Sequence, residues 1–274
     1  MQTLPFIKMH GLGNDYVYID CFQPETAAMI ADADLALLAQ RVSDRHRGIG
    51  SDGLVLMLPS KKADAQMRMF NADGTEAQMC GNAIRCVAKY LYENGICKQT
   101  KMRIETLAGI RELELYVREE KVEQIKVNMG CPISAEVMLT LCCSKLPFIS
   151  VNLGNPHAVF FRQETITSDE LMTLGKKIGT HPHFPEGTNV EFVRVINAKE
   201  LEMRVWERGT GETLACGTGA CASAVAAIQQ GLTERAVTVH LRGGDLFIQW
   251  PTDDSPVYMT GSATIICKGE YIFD

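Results

Sequence analysis

Two hydrophobic periods alternate along the chain. Between Cys80 and Gly95 the apolar residues Ile84, Val87, Ala88 and Leu91 fall at i, i+3, i+4 and i+7, the spacing of a helix with a buried face. Gly95 is placed to take the left-handed conformation that ends it. Residues 219–228 read Gly-Ala-Cys-Ala-Ser-Ala-Val-Ala-Ala-Ile, small and apolar on every side, as expected of a helix buried all round. Elsewhere the pattern shortens to alternating or β-branched runs, which predict strands at 66–70, 102–105, 111–117, 124–128, 148–153, 190–196, 202–206, 237–241, 246–250 and 264–266. Peripheral helices are predicted at 34–45 and after Thr167, where Thr167-Ser168-Asp169-Glu170 fits a capping box. Most of the chain is sheet, and short strands without regular strand–helix alternation argue against a doubly wound fold.

The pattern repeats. Cys80-Gly81-Asn82 opens a segment that closes at Asn94-Gly95, and Cys216-Gly217-Thr218 opens one that closes at Gln230-Gly231, at an offset of 136. Glu76 and Glu212 stand four residues before each cysteine; Asn71 and Glu207 stand nine before, each directly after an aromatic, Phe70 or Trp206. Upstream, Gly13-Asn14-Asp15 parallels Gly154-Asn155-Pro156 at an offset of 141, and Gly50-Ser51-Asp52 parallels Gly187-Thr188-Asn189 at 137. Three elements in order at nearly one offset predict two related halves with a boundary near Gly130-Cys131-Pro132. The fold class expected is α+β: two pseudo-symmetric domains, each a curved, mostly antiparallel sheet wrapped around a central helix that begins with a cysteine.

Composition narrows the function. The 274 residues suffice for two medium domains, and 46% hydrophobic with 22% charged residues is an ordinary globular balance. A net charge of −6 lacks the basic footprint of a nucleic-acid binder. The longest nearly apolar run, 219–228, is about half of what a membrane-spanning helix needs. The N-terminal residues show no secretory pattern, so the expectation is a cytoplasmic protein with neither nucleic-acid nor membrane partners. Ten cysteines are the one unusual number. They are too thinly spread for a disulfide framework and lack the twice-paired spacing of a structural zinc site, so most read as small buried hydrophobes. Cys86 and Cys221, well inside their helices, read as core; no role is assigned to Cys131, Cys142 or Cys143. His181-Pro182-His183 reads as a solvated turn, and His10, beside Gly11, and His46 read equally as structural or catalytic.

Cys80 and Cys216 stand apart because each precedes a helix. A helix N-terminus carries about half a positive charge and unpaired N–H groups, which favour a thiolate and lower its pKa. Gly81-Asn82 and Gly217-Thr218 are small enough to let a carboxylate reach the same N–H groups. If the halves face each other, the thiols flank whatever is bound, the geometry of a two-base racemase. One thiolate takes the proton α to a carboxylate, and the opposing thiol protonates the other face. The sequence shows neither a pyridoxal-type lysine motif nor a glycine-rich nucleotide loop, and the reaction needs no cofactor or metal.

Further motifs are Lys8 to Asp15 (Lys-Met-His-Gly-Leu-Gly-Asn-Asp), Phe70-Asn71-Ala72-Asp73-Gly74, Met79-Cys80-Gly81-Asn82-Ala83-Ile84-Arg85, Gly154-Asn155-Pro156-His157, and Trp206-Glu207-Arg208-Gly209 running into Ala215-Cys216-Gly217-Thr218-Gly219. With them the chain resembles the diaminopimelate epimerases over nearly its whole length. The resemblance implies cofactor-independent interconversion of LL- and meso-diaminopimelate, a step toward lysine and peptidoglycan precursors, with Cys80 and Cys216 as the acid–base pair. It implies His157 and Glu207 beside the thiols, Gly81, Asn82, Gly217 and Thr218 on the reacting carboxylate, and Asn14, Asn71, Asn155, Asn189, Glu207 and Arg208 on the rest of the substrate. It also implies a homodimer and a C-terminal strand returning to the first domain, hence domains of 1–129 plus 264–274 and of 130–263. Some relatives carry a glutamine where this chain has Gly53, after Asp52, which leaves a side-chain contact there open. Two other readings stand beside this one: a relative of the same architecture acting on proline or hydroxyproline or as an isomerase, and a thiol redox or zinc-binding protein.

Overall fold

The structure is a computed structural model that describes residues 2–141 and 144–273. Cys142 and Cys143 lie outside the described residues. The chain divides into two compact units, residues 1–127 with 261–274, and residues 128–260.

In the first unit the sheet runs, strand to neighbour, from Thr264–Phe273 to Gln2–Gly11, Asn14–Asp20, Gly53–Leu58, Ala65–Asn71, Lys101–Thr106, Gly109–Arg118 and Lys121–Gly130. Two pairings, Asn14–Asp20 with Gly53–Leu58 and Ala65–Asn71 with Lys101–Thr106, are parallel, and the rest are antiparallel. The helix Gly81–Glu93 packs against this sheet, touching the strands Gln2–Gly11, Asn14–Asp20 and Gly109–Arg118. On the other face, helices Pro24–Ala31 and Leu35–Ser43 close a core of Val17, Ile19, Leu54, Leu56 and Phe70 with Leu38 and Val42.

The second unit repeats this order. Its sheet runs from Ile133–Leu141 to Ser144–Asn152, Pro156–Arg162, Asn189–Asn197, Glu200–Glu207, Ala236–Leu241, Gly244–Gln249 and Val257–Gly261, with parallel pairings at the same two places. Six of its strands touch the helix Gly217–Gln229, so the sheet curls around it. That helix has the same length as Gly81–Glu93, 13 residues, and it is buried on all sides from Gly219 to Ile228. Its alanines and glycines let the strands approach the helix backbone closely.

The outer face is covered by residues 168–179. There the Thr167 hydroxyl accepts from Glu170 N (3.3 Å) and Glu170 accepts from Thr167 N (3.1 Å), the reciprocal cap that the sequence predicts. The helix loosens into one π turn, Leu171–Gly175, where Gly175 lies so close to Trp206 that a β-carbon would collide with the indole.

Every predicted strand overlaps an observed one, and those at 148–153 and 246–250 overrun it by one residue, Leu153 and Trp250. The strands Gln2–Gly11, Asn14–Asp20, Gly53–Leu58, Ile133–Leu141, Pro156–Arg162 and Val257–Gly261 and the helix Pro24–Ala31 are additional. No helix among the described residues is long and apolar enough to cross a membrane.

The buried-hydrophobe reading of the cysteines holds for Cys21, Cys86 and Cys221. It fails for Cys131, exposed just after the strand Lys121–Gly130, for Cys267, exposed on Thr264–Phe273, and for the half-buried Cys97. All eight described cysteines are free thiols.

Candidate active site

In each unit strand alternation decides what faces the central helix. Leu54 and Leu56 point into the outer core of the first unit, so Val55 and Met57 turn inward; Val190 and Phe192 point outward in the second, so Glu191 and Val193 turn inward. By the same rule Ala158 and Phe160 face outward and His157 and Val159 inward.

Cys80 is the N-cap of the first helix, with extended backbone, and is half-buried. Its thiol donates to Asn14 Oδ1 (3.5 Å), which also accepts from Asn82 Nδ2 (3.2 Å). Asn14 is held in turn: its Nδ2 donates to Asp52 Oδ2 (2.8 Å), which also accepts from Asp15 N (3.1 Å). Arg45 bridges Asp52 and Asp15 at 2.9 Å each, and Lys8 pairs with Asp15 at 2.9 Å. Burial pushes the Asp15 carboxyl up, but hydrogen bonds and charge from Arg45 and Lys8 overcome it and hold it below the ordinary carboxylate range. Asn82 accepts from the fully buried Arg85 (3.0 Å), whose guanidinium also donates to Gly81 O (3.1 Å) and Ser262 O (3.2 Å). Asn71 commits its amide to Thr75 Oγ1 (2.9 Å) in the turn after its strand. At Gly53 a β-carbon would collide with the Phe70 carbonyl, so as the backbone stands no side chain fits there; the neighbouring Asp52 instead acts through Asn14.

Cys216 caps the second helix and is 5% exposed. Its sulfur accepts from Gly219 N (3.3 Å) and lies 3.6 Å from Thr218 Oγ1. Thr218 accepts from Asn155 Nδ2 (3.3 Å), and Asn155 Oδ1 lies 3.1 Å from His157 Nε2. The other ring nitrogen, Nδ1, lies 2.7 Å from Glu191 Oε1, both side chains fully buried. Glu207 accepts from Thr213, and Asn189 joins the Pro156 carbonyl (2.9 Å) to Arg208 N (3.0 Å). Arg208 donates to Glu186 O (3.2 Å) and, with Phe184, Gly187, Thr188 and Trp206, lines a cavity of ≈ 340 Å³.

The helix-end argument predicts a lowered pKa, and at Cys216 the structure overturns it. Burial pushes this thiol well above the ordinary range and the charges of Glu207 and Glu191 add to the push; Thr218 and the Gly219 N–H pull the other way and lose. Burial and the two carboxylates thus favour the protonated form of the Cys216 thiol.

Sequence reasoning brings Cys80, Asn14 and Asn82 together, and likewise Cys216, Thr218, Asn155 and His157. It misses Asp52, Arg85 and Glu191. The first two lay inside quoted motifs. Glu191 stands between the apolar Val190 and Phe192 of a run that reads as a core strand. His181 Nδ1 accepts from His183 N (3.1 Å) within a turn, and the described residues contain no group of three metal-ligating side chains.

With this geometry in place, the family model described as diaminopimelate epimerase matches residues 6–134 and 149–266. The chain belongs to the diaminopimelate epimerase family. A diaminopimelate epimerase of Pelotomaculum thermopropionicum is 48% identical over 97% of this chain and 98% of its own. That of Bacillus anthracis is 47% identical over 99% and 98%. Among solved structures, a Bacillus anthracis protein of the PhzF family covers 100% of both chains with a TM-score of 0.75 at 17% identity. A probable proline racemase from Agrobacterium radiobacter also reaches 0.75 at 17% identity, over 99% of this chain and 93% of its own. At such identities these two structures establish the fold alone.

Proposed function

We propose that this chain interconverts LL- and meso-diaminopimelate by a two-base mechanism, in the synthesis of lysine and peptidoglycan precursors. The observation that carries the reading is the duplicated cysteine-capped helix, each thiol hydrogen-bonded to a side chain of its own unit, in a chain of the diaminopimelate epimerase family. One sulfur, as thiolate, takes the α-proton; the other, as thiol, gives a proton to the opposite face, and the two exchange roles when the reaction reverses. Charge that develops on the carboxylate in the transition state is met by backbone N–H groups at helix ends, beginning with Gly81, Asn82, Gly217 and Thr218. Asn14, Asn71, Asn155, Asn189, Glu207 and Arg208 bind the rest of the substrate. Arg208 suits a carboxylate and Glu207 an ammonium.

The reading extends to a homodimer and to the cytoplasm. Half-exposed Ile266 and Ile272 on the last strand offer apolar surface to a second copy, and free thiols fit a reducing compartment. Gel filtration with light scattering reads the first directly.

The decisive experiment follows solvent deuterium into diaminopimelate. Wild type should invert LL to meso substrate with deuterium at one α-carbon, and Cys80→Ala and Cys216→Ala should each lose inversion by at least a thousandfold. Wild-type inversion by Cys80→Ala would refute the two-base scheme, and turnover of L-proline in preference to LL-diaminopimelate would move the substrate class.

A further inference from the structure

The two halves share their strand registers, which allows residue-by-residue comparison of the surroundings of their thiols. Leu54 pairs with Phe70 as Val190 pairs with Trp206, and Val55 with Met69 as Glu191 with Val205. Glu191 therefore occupies the place of Val55, and Glu207 that of Asn71. The parallel pairing of Val17 with Leu54 and of Ala158 with Val190 likewise sets His157 against Tyr16. The second half thus carries two carboxylates and an imidazole where the first carries three uncharged side chains.

Of these, Glu191 is the costliest to keep. It is wholly buried, and while Oε1 meets His157 at 2.7 Å, Oε2 has no hydrogen-bond partner among the described residues. A buried carboxylate left half-satisfied destabilises a fold, and the first half shows that valine serves this position structurally. The carboxylate is also lodged against the first turn of the helix that Cys216 caps. A β-carbon on Gly219, the residue whose N–H binds the Cys216 sulfur, would lie 2.8 Å from Oε1.

We infer that Glu191 is a positioning residue for Cys216: it anchors the His157 ring and sets its charge against the start of the helix that Cys216 caps, disfavouring a thiolate there. The assignment rests on the acid–base reading of the two cysteines. It gives that reading a direction, because a two-base enzyme needs one thiol and one thiolate at rest and a perfect duplication would supply two alike. The ionisable groups facing Cys216 are Glu191 on the strand Asn189–Asn197, Glu207 on Glu200–Glu207 and, through Asn155 and Thr218, His157 on Pro156–Arg162.

The test needs no substrate. Iodoacetamide alkylation of Cys216, resolved from the other cysteines by peptide mass spectrometry, is followed across pH in wild type and in Glu191→Gln, which keeps an acceptor for His157 and removes the charge. The Cys216 inflection should fall by a unit or more in the variant, raising its alkylation rate near neutrality about tenfold. Should glutamine disturb the fold, Glu191→Val, the residue the first half carries here, is read in the same way. A folded variant with a lowered melting temperature and an unmoved inflection would make Glu191 merely structural and overturn the inference. A shifted inflection in a protein that fails to epimerise diaminopimelate would leave the inference standing and refute the proposed substrate.

Discussion

Asn14 shows how much of this site is orientation. Its oxygen serves both Cys80 and Asn82 only because its nitrogen is held by Asp52, which Arg45 and the Asp15 amide hold in turn. Asp52→Ala should therefore lower kcat/KM roughly five- to 150-fold, about 1–3 kcal/mol of lost orientation, although Asp52 is not among the residues proposed to bind substrate. Steady-state kinetics on folded variant check this. The same cluster predicts acid sensitivity. The Asp15 carboxyl lies below its unfolded range in the folded chain, so its contribution to stability is complete above about pH 4 and drains away as the pH falls further. Asp15→Asn should flatten the acid limb of a melting-temperature profile. These roles were half legible. The Gly-Ser-Asp repeat flagged Asp52, but a carboxylate that acts through an asparagine looks in sequence like any turn residue. Glu191 was hidden differently, because residues 190–196 read as a core strand and nothing local says that its inward face meets a cysteine-capped helix.

The central helices explain why the elements were easier to read than their contacts. Helical spacing in 80–95 and all-round small residues in 219–228 identified both, and the structure gives them equal length. The Thr167 capping box and the strand cores were legible for the same reason, that each has a local period or cap. Strand Ile133–Leu141 was not, because most of it is exposed and a slip between Ala135 and Glu136 breaks its alternation, and the two parallel pairings in each unit depend on partners far away in sequence. The second helix makes a packing prediction. Ala224 is fully buried within a sheet that curls around it, so Ala224→Leu should cost about 1–3 kcal/mol by overpacking, seen as a lower midpoint in urea. The equivalent change at half-buried Lys89, Lys89→Leu, should cost less through packing and more through the lost Glu93 pair (2.7 Å).

The division of the chain is uneven in one respect. The second unit is a continuous stretch, residues 128–260, whose outermost strand, Ile133–Leu141, comes from its own beginning. The first unit takes the equivalent strand, Thr264–Phe273, from beyond the other unit, and pairs it along the full length of Gln2–Gly11. Removing residues 261–274 should therefore unfold the first unit while the second keeps its amide protection, a contrast that hydrogen exchange resolves. The motif repeats made the duplication legible, but no local pattern showed that one copy is completed from a distance. The same segment supplies the Ser262 carbonyl that receives the buried Arg85 guanidinium, on the very helix that Cys80 begins. A ribosome delivers these pieces in a fixed order. The second unit emerges whole while the first still waits for its edge strand, so the helix that Cys80 caps is the last to gain its full set of neighbours.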